Sequence, residues 1–185
     1  MSATWQAFIA TQTLDFAPQV LAENALYPLS HRFITIAGVD ASKFLQGQLS
    51  CDIRLLNTSK AGLGSHNTPK GRMASSFRIM QTAADSYLLR LHASIIDSAS
   101  ALLKKYIVFS KAQLIVLEDM AGFGLHGPNA AAALKAHFAH LPTESFQQIV
   151  EQGITIICTD QSLQSYEIYA ESSALISLWQ QLANT

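Results

Sequence analysis

Two well-separated stretches of this chain follow one pattern, and that repetition limits the folds open to it. Phe33-Ile34-Thr35-Ile36-Ala37-Gly38-Val39-Asp40-Ala41 runs into Ser42-Lys43-Phe44-Leu45, and Phe123-Gly124-Leu125-His126-Gly127-Pro128-Asn129-Ala130 runs into Ala131-Ala132-Ala133-Leu134. Each reads as an extended apolar segment, a Gly, one further residue, an Asp or Asn suited to cap a helix, an Ala, and a Leu four positions on. Asp40 is expected to cap a helix Ala41–Gln48 through its carboxylate, and Pro128 reinforces the second boundary because it has no N–H for a strand ladder. Strand-like segments follow both stretches: Ala61 to Asn67, Gly71 to Gln81 and Tyr87 to His92 in the first half, Ile154 to Cys158 and Gln164 to Ala170 in the second. Each half closes on a helix with an apolar stripe. Ile95, Ile96, Ala99, Leu102, Leu103 and Tyr106 form the first, capped by Ser94 and ending in Lys104-Lys105; Ala174, Leu175, Leu178, Trp179 and Leu182 form the second, over Ser172 to Ala183. A strand–helix–strands–helix unit used twice predicts an α+β protein with duplicated halves. Residues 1–30, broken by Pro18 and Pro28, are set apart as a peripheral segment; residues 31–185 divide into halves at about 31–110 and 111–185.

Composition narrows the function classes. The 185 residues are 49% hydrophobic and 14% charged, with a formal net charge of -1, so the basic field needed for non-specific nucleic-acid or membrane binding is missing. No run of about 18 apolar residues predicts a membrane-spanning helix. The N-terminus, M-S-A-T-W-Q-A-F-I-A-T-Q-T-L-D-F, lacks the basic start and continuous apolar core of a signal peptide. Cys51 and Cys158 stand far apart without C-x-x-C spacing, so free thiols and a cytoplasmic location are expected. His126, His137 and His140 have no carboxylate or cysteine partner at ligand spacing, so no metal site is expected. No Ser-His-Asp arrangement, G-x-S-x-G, P-loop or dinucleotide fingerprint is present, and no catalytic residue is assigned.

The most informative polar stretch lies between two apolar segments: His66-Asn67-Thr68-Pro69-Lys70-Gly71-Arg72. Pro69 fixes φ and Gly71 can take φ > 0, which marks a tight reversal. In the strand after it, Met73, Phe77 and Ile79 share a face with Ser75, while Ala74, Ser76, Arg78 and Met80 share the other. A loop carrying Lys70 and Arg72 and opening onto two adjacent hydroxyls suits a ligand with an anionic tail and a flat polar head. Asn67, Lys70, Arg72, Ser75 and Ser76 are the candidate binding residues on this ground.

F-L-Q-G-Q-L-S-C-D-I, H-N-T-P-K-G-R-M-A-S-S-F-R, L-K-K-Y-I-V-F-S-K-A at Leu103 to Ala112, D-M-A-G-F-G-L-H-G-P-N-A and the ending Y-E-I-Y-A…L-W-Q-Q-L together resemble the folate-binding YgfZ family, related to the glycine-cleavage aminomethyltransferase (T-protein). The resemblance covers the chain from about His31 onward. It implies a tetrahydrofolate-binding fold of two swapped α+β halves, with tetrahydrofolate or a one-carbon derivative as ligand. It further implies a role beside iron–sulfur enzymes, including those that thiolate tRNA, without direct nucleic-acid or membrane contact. His31 falls where relatives carry an aromatic suited to stacking on the ligand, and Glu167 matches the last acidic position of the superfamily's T-G-E-x-G-[YF]-E segment. Ser75 and Ser76 stand where the aminomethyltransferase branch has paired aspartates. A serine hydroxyl cannot act as a carboxylate base at neutral pH, so aminomethyl transfer is not expected. The K-G-C-Y-x-G-Q-E motif and the C-terminal β domain of the family do not occur in these 185 residues. Two alternatives stay open: a one-carbon transfer enzyme of the T-protein kind, and an interaction module that kept the fold without the ligand.

Overall fold

The computed structural model describes residues 2–14 and 24–183. Pro18, read above as a break, lies outside the described residues. The chain forms two compact units, an inserted unit His31–Glu118 and a split unit made of Met1–Ser30 with Asp119–Thr185.

The inserted unit begins with strand β2 (His31–Ala37), after which helix α2 (Ala41–Gln48) leads to β3 (Gly62–Asn67), β4 (Met73–Ala83), β5 (Ser86–His92), helix α3 (Ile96–Ile107) and β6 (Gln113–Leu117). Its antiparallel sheet has the order β3-β4-β5-β2-β6. One face carries Ile34, Ile36, Phe77, Ile79, Tyr87, Leu89 and Leu91, which pack with Phe44 and Leu45 of α2 and Ile96, Ala99 and Leu103 of α3 into a single core. The period of 2 in the strands and of 3.6 in the helices thus meet on one surface.

The split unit draws α1 (Ala3–Ile9) and β1 (Ala25–Pro28) from the start of the chain, and β7 (Met120–His126), α4 (Ala130–Lys135), β8 (Gln148–Glu151), β9 (Ile154–Cys158), β10 (Ser165–Glu171) and α5 (Ser172–Ala183) from the end. Its sheet order is β1-β7-β10-β9-β8. The described part of residues 1–30 is therefore not peripheral. Trp5 is fully buried, with its ring 6.2 Å from Phe123 and 5.7 Å from Trp179, and β1 forms the sheet edge against β7.

The two sheet orders show how the halves are related. Matching β2 with β7, β3–β5 with β8–β10 and α3 with α5 leaves β6 and β1 as equivalent edge strands. Each immediately precedes one half in sequence, β1 before β2 and β6 before β7, but pairs in the sheet of the other: β1 with β7, and β6 with β2. The expected duplication with exchange is present, and the exchanged element is this edge strand.

The repeated turn keeps its geometry. Gly38 and Gly127 have φ of 136° and 147°, a region that L side chains avoid. Their carbonyls accept from Ala41 N at 2.8 Å and Ala130 N at 3.1 Å, and the cap residues Asp40 and Asn129 have φ, ψ of -101°, 4° and -104°, 9°. Helix α2 has the expected bounds, but Asp40 does not cap it with its carboxylate. Asp40 Oδ2 instead accepts from Lys111 N at 2.8 Å, fastening the chain after α3 to this turn. Ser94 also differs from expectation: it lies in a short 3-10 turn whose cap is His92, whose side chain accepts from Ser94 N.

Candidate functional site

The Thr68–Arg72 turn forms as its Pro and Gly dictate. Gly71 N donates to Thr68 O and Thr68 N to Arg72 O, each at 2.8 Å, and Gly71 has φ of 73°. Lys70 and Arg72 are exposed on it. His66, which opens the polar stretch and falls in the expected strand Ala61 to Asn67, is a β3 residue with 3% exposure, paired in register with Ser75. Ser75 is equally buried and shares the core face with Phe77 and Ile79, whereas Ser76 is exposed on the other face. The two hydroxyls therefore do not open together onto the charged loop. Alternation along a strand sends neighbours to opposite faces, and the core takes the first. Among the described residues, neither Ser75 Oγ nor His66 Nδ1 has a hydrogen-bond partner, and burial pushes the His66 imidazole below its ordinary pKa.

The face opposite this core gathers a polar strip in the inserted unit. Arg78 of β4 and Arg90 of β5 are cross-strand partners, and His31 of β2 pairs with His92 of β5. Arg90 Nη1 lies 2.8 Å from His31 Nε2; arginine can only donate, so the ring nitrogen accepts there. The His31 and His92 rings meet edge to face at 6.0 Å. Ser76 and Asn67 lie on this face, which runs toward the Lys70–Arg72 turn. Guanidinium and imidazole groups set side by side in this way suit a carboxylate or phosphate. Arg78, Arg90 and His92 are absent from the candidates named from sequence. Their signal was a charged residue set inside an apolar strand, S-F-R-I-M and Y-L-L-R-L-H.

Glu167 belongs to the split unit and is described there. It pairs with Gly124 of β7, which pairs on its other side with Tyr27 of β1. A Cβ on Gly124 would lie 2.1 Å from the Tyr27 ring, so glycine is required for that ring to lie across the strand. Gly122 does the same for Tyr169, whose ring would be 2.7 Å from a Cβ. The Tyr169 hydroxyl donates to Glu167 Oε2. The product is a carboxylate held among tyrosine rings over a strip cleared of side chains. On the same face, His126 Nδ1 is 2.7 Å from Ser165 Oγ. Tyr27 and Tyr169 were not legible as site residues, because only the register shows which glycines they cover.

The cysteines are free thiols, and burial raises the pKa of both Cys51 and Cys158. Among the described residues, no group of three or more His, Cys, Asp or Glu side chains could hold a metal ion, and no helix is long and apolar enough to cross a membrane.

Fold and sequence together define the class: residues 24–185 match the GCVT N-terminal domain family, and the chain belongs to it. Its sequence is similar to the tRNA-modifying protein YgfZ of Cronobacter sakazakii, 34% identical over 148 residues that make up 77% of this chain and 45% of that protein. It is also similar to the tRNA-modifying protein YgfZ of Colwellia psychrerythraea, 30% identical over 165 residues, 88% of this chain and 50% of that one. The chain spans about half the length of these curated relatives. Among solved structures it shares its fold with aminomethyltransferase T of the glycine cleavage system from Bartonella henselae, at a TM-score of 0.77 and 21% identity over 97% of this chain and 48% of that one. A chain of the heterotetrameric sarcosine oxidase from Corynebacterium sp. U-96 also shares it, at a TM-score of 0.63 and 14% identity over 87% of this chain and 84% of that one.

Proposed function

We propose that this chain binds tetrahydrofolate or a one-carbon derivative, that it serves tRNA modification through the upkeep of iron–sulfur enzymes in the cytoplasm, and that it does not transfer aminomethyl groups. The observation that carries the binding part is Glu167, a carboxylate positioned by the Tyr169 hydroxyl beside a glycine-cleared strip under Tyr27. A pterin presents adjacent N–H donors that a carboxylate accepts in pairs, and aromatic rings offer it a stacking surface. The tRNA part is supported by the similarity to YgfZ proteins, whose names describe tRNA modification. The absence of transfer is supported by Ser75 and Ser76 at the positions the family resemblance gives to paired aspartates. Ser75 is moreover turned into the core, where it has no route to a reacting group.

Titration with tetrahydrofolate, followed by tryptophan fluorescence and by thermal shift, tests the binding. Saturation in the range of tens of micromolar or tighter is expected, with a rise in Tm that grows with ligand concentration. Glu167→Gln keeps the shape and removes the charge. Losing a hydrogen bond to a charged group costs about 1.5–3 kcal/mol, so affinity should fall by about one to two orders of magnitude. An unchanged affinity in that variant would remove Glu167 from the site, and no binding by the unaltered protein would remove folate.

A further inference from the structure

The last turn of α3 and the segment after it present apolar side chains to water that no core needs. Phe109 is 90% exposed, Val108 70% and Tyr106 40%, and Val39 in the Gly38–Asp40 turn is 71% exposed. Ile107 between them is buried and anchors the stretch in the core of the inserted unit. Val39 and the Tyr106–Lys111 stretch are neighbours, because a Cβ on Gly38 would sit 2.4 Å from Lys111 O and Asp40 Oδ2 accepts from Lys111 N at 2.8 Å. The stretch is also internally tied: Ser110 N donates to Ile107 O at 2.8 Å, and Gly38 N to Asp85 O at 2.9 Å. An apolar knob built on fixed backbone is a different object from a floppy loop, since docking to it orders little that is not already ordered. Scattered exposed hydrophobics need no explanation, but a contiguous group rimmed by charge marks an interaction surface.

We propose that this knob, Val39, Tyr106, Val108 and Phe109 with Lys104, Lys105 and Lys111 at its rim, docks an acidic segment of a partner protein that carries an aliphatic or aromatic anchor. The choice of occupant follows from charge. The three lysines are exposed and outnumber the acids beside the Gly38–Asp40 turn, Asp40, whose carboxylate accepts from the Lys111 N–H, and Asp85, whose carbonyl accepts from Gly38 N. Rim cations attract and orient an acidic segment, and the apolar centre supplies the affinity. Nucleic acid fits less well. Its binding needs a basic field, and this chain has a formal net charge of -1.

The probe is a random-peptide display library selected on the whole chain and counter-selected on Phe109→Ser. The residue is exposed, so that variant should keep its Tm. Enrichment of peptides rich in Asp and Glu around a Leu, Ile or Phe is expected. Synthetic versions should bind at least tenfold more weakly to Phe109→Ser, and also to the charge-reversed Lys104→Glu/Lys105→Glu. A basic counterpart of the best peptide should not bind. The proposal is overturned if selection yields no peptide that depends on Phe109, or if charge reversal leaves peptide affinity unchanged. It is equally overturned if a single-stranded RNA oligonucleotide binds in a Phe109-dependent way, or if sedimentation shows that the knob pairs two copies of this chain.

Discussion

His66 shows what a single strand position can conceal. It sits one residue from the end of β3, yet the imidazole is buried beside Ser75, with Nδ1 unpartnered among the described residues. Desolvation favours the neutral ring, so its pKa in the folded chain lies below that of the unfolded one. The sign follows directly: stability from this group is whole above the unfolded value, near 6.5, and declines as pH falls from there toward the folded value, because the unfolded chain takes up the proton first. Melting temperatures measured from pH 7.5 to 5 should therefore fall less steeply in His66→Leu than in the unaltered protein. Parallel curves would show that His66 does not titrate on unfolding. Its strand was legible as Ala61 to Asn67, but its burial and its pairing with Ser75 were not, since both depend on the register of β3 against β4. Glu167 was named by resemblance alone, and the rings around it depend on which strands flank Gly122 and Gly124.

At the scale of elements, helices with a clear apolar stripe and strands with strict alternation were legible. Helices Ala41–Gln48 and Ser172–Ala183 have the bounds their residues announce. Edge strands β6 and β8 were not, because half-exposed edges such as Gln113–Leu117 mix polarity on both faces. Caps also escaped: Asp40 prefers the Lys111 amide seventy-odd residues on, a contact that no local rule contains. The repeated turn supplies a contrast that can be measured. Gly38 combines φ of 136° with a Cβ position 2.4 Å from a backbone carbonyl, whereas a Cβ on Gly47 in α2 meets nothing within 4 Å. Gly38→Ala should lower stability by at least about 2 kcal/mol, since positive φ and a backbone clash both oppose it. Gly47→Ala should raise stability by up to about 1 kcal/mol through helix propensity. Denaturant midpoints for the two variants decide both; equal midpoints would mean the turn relaxes freely.

For the whole molecule, the duplication was legible because both halves keep the Gly–x–Asp/Asn–Ala–Leu spacing. The origin of each sheet's edge was not, because pairing partners far apart in sequence leave no local signature. Residues 1–30 make the point. Deleting residues 2–30 should not trim an ornament but strip the split unit of Trp5 and of strand β1, exposing the β7 edge and the rings of Phe123 and Trp179. Burying a side chain of this size contributes about 3 kcal/mol, so a low soluble yield and strong binding of the dye ANS are expected. A soluble, dye-silent product would contradict that reading.

The exchange of edge strands also governs the order in which the chain can fold on the ribosome. Trp5, Phe8 and Ile9, which emerge before the inserted unit, have their partners in Asp119–Thr185. They must wait through synthesis of the entire intervening unit, which can close its own sheet as soon as Gln113–Leu117 is made. Translation thus separates the nascent protein into an early-sealing middle and an N-terminal tail that stays adhesive until the last strands arrive.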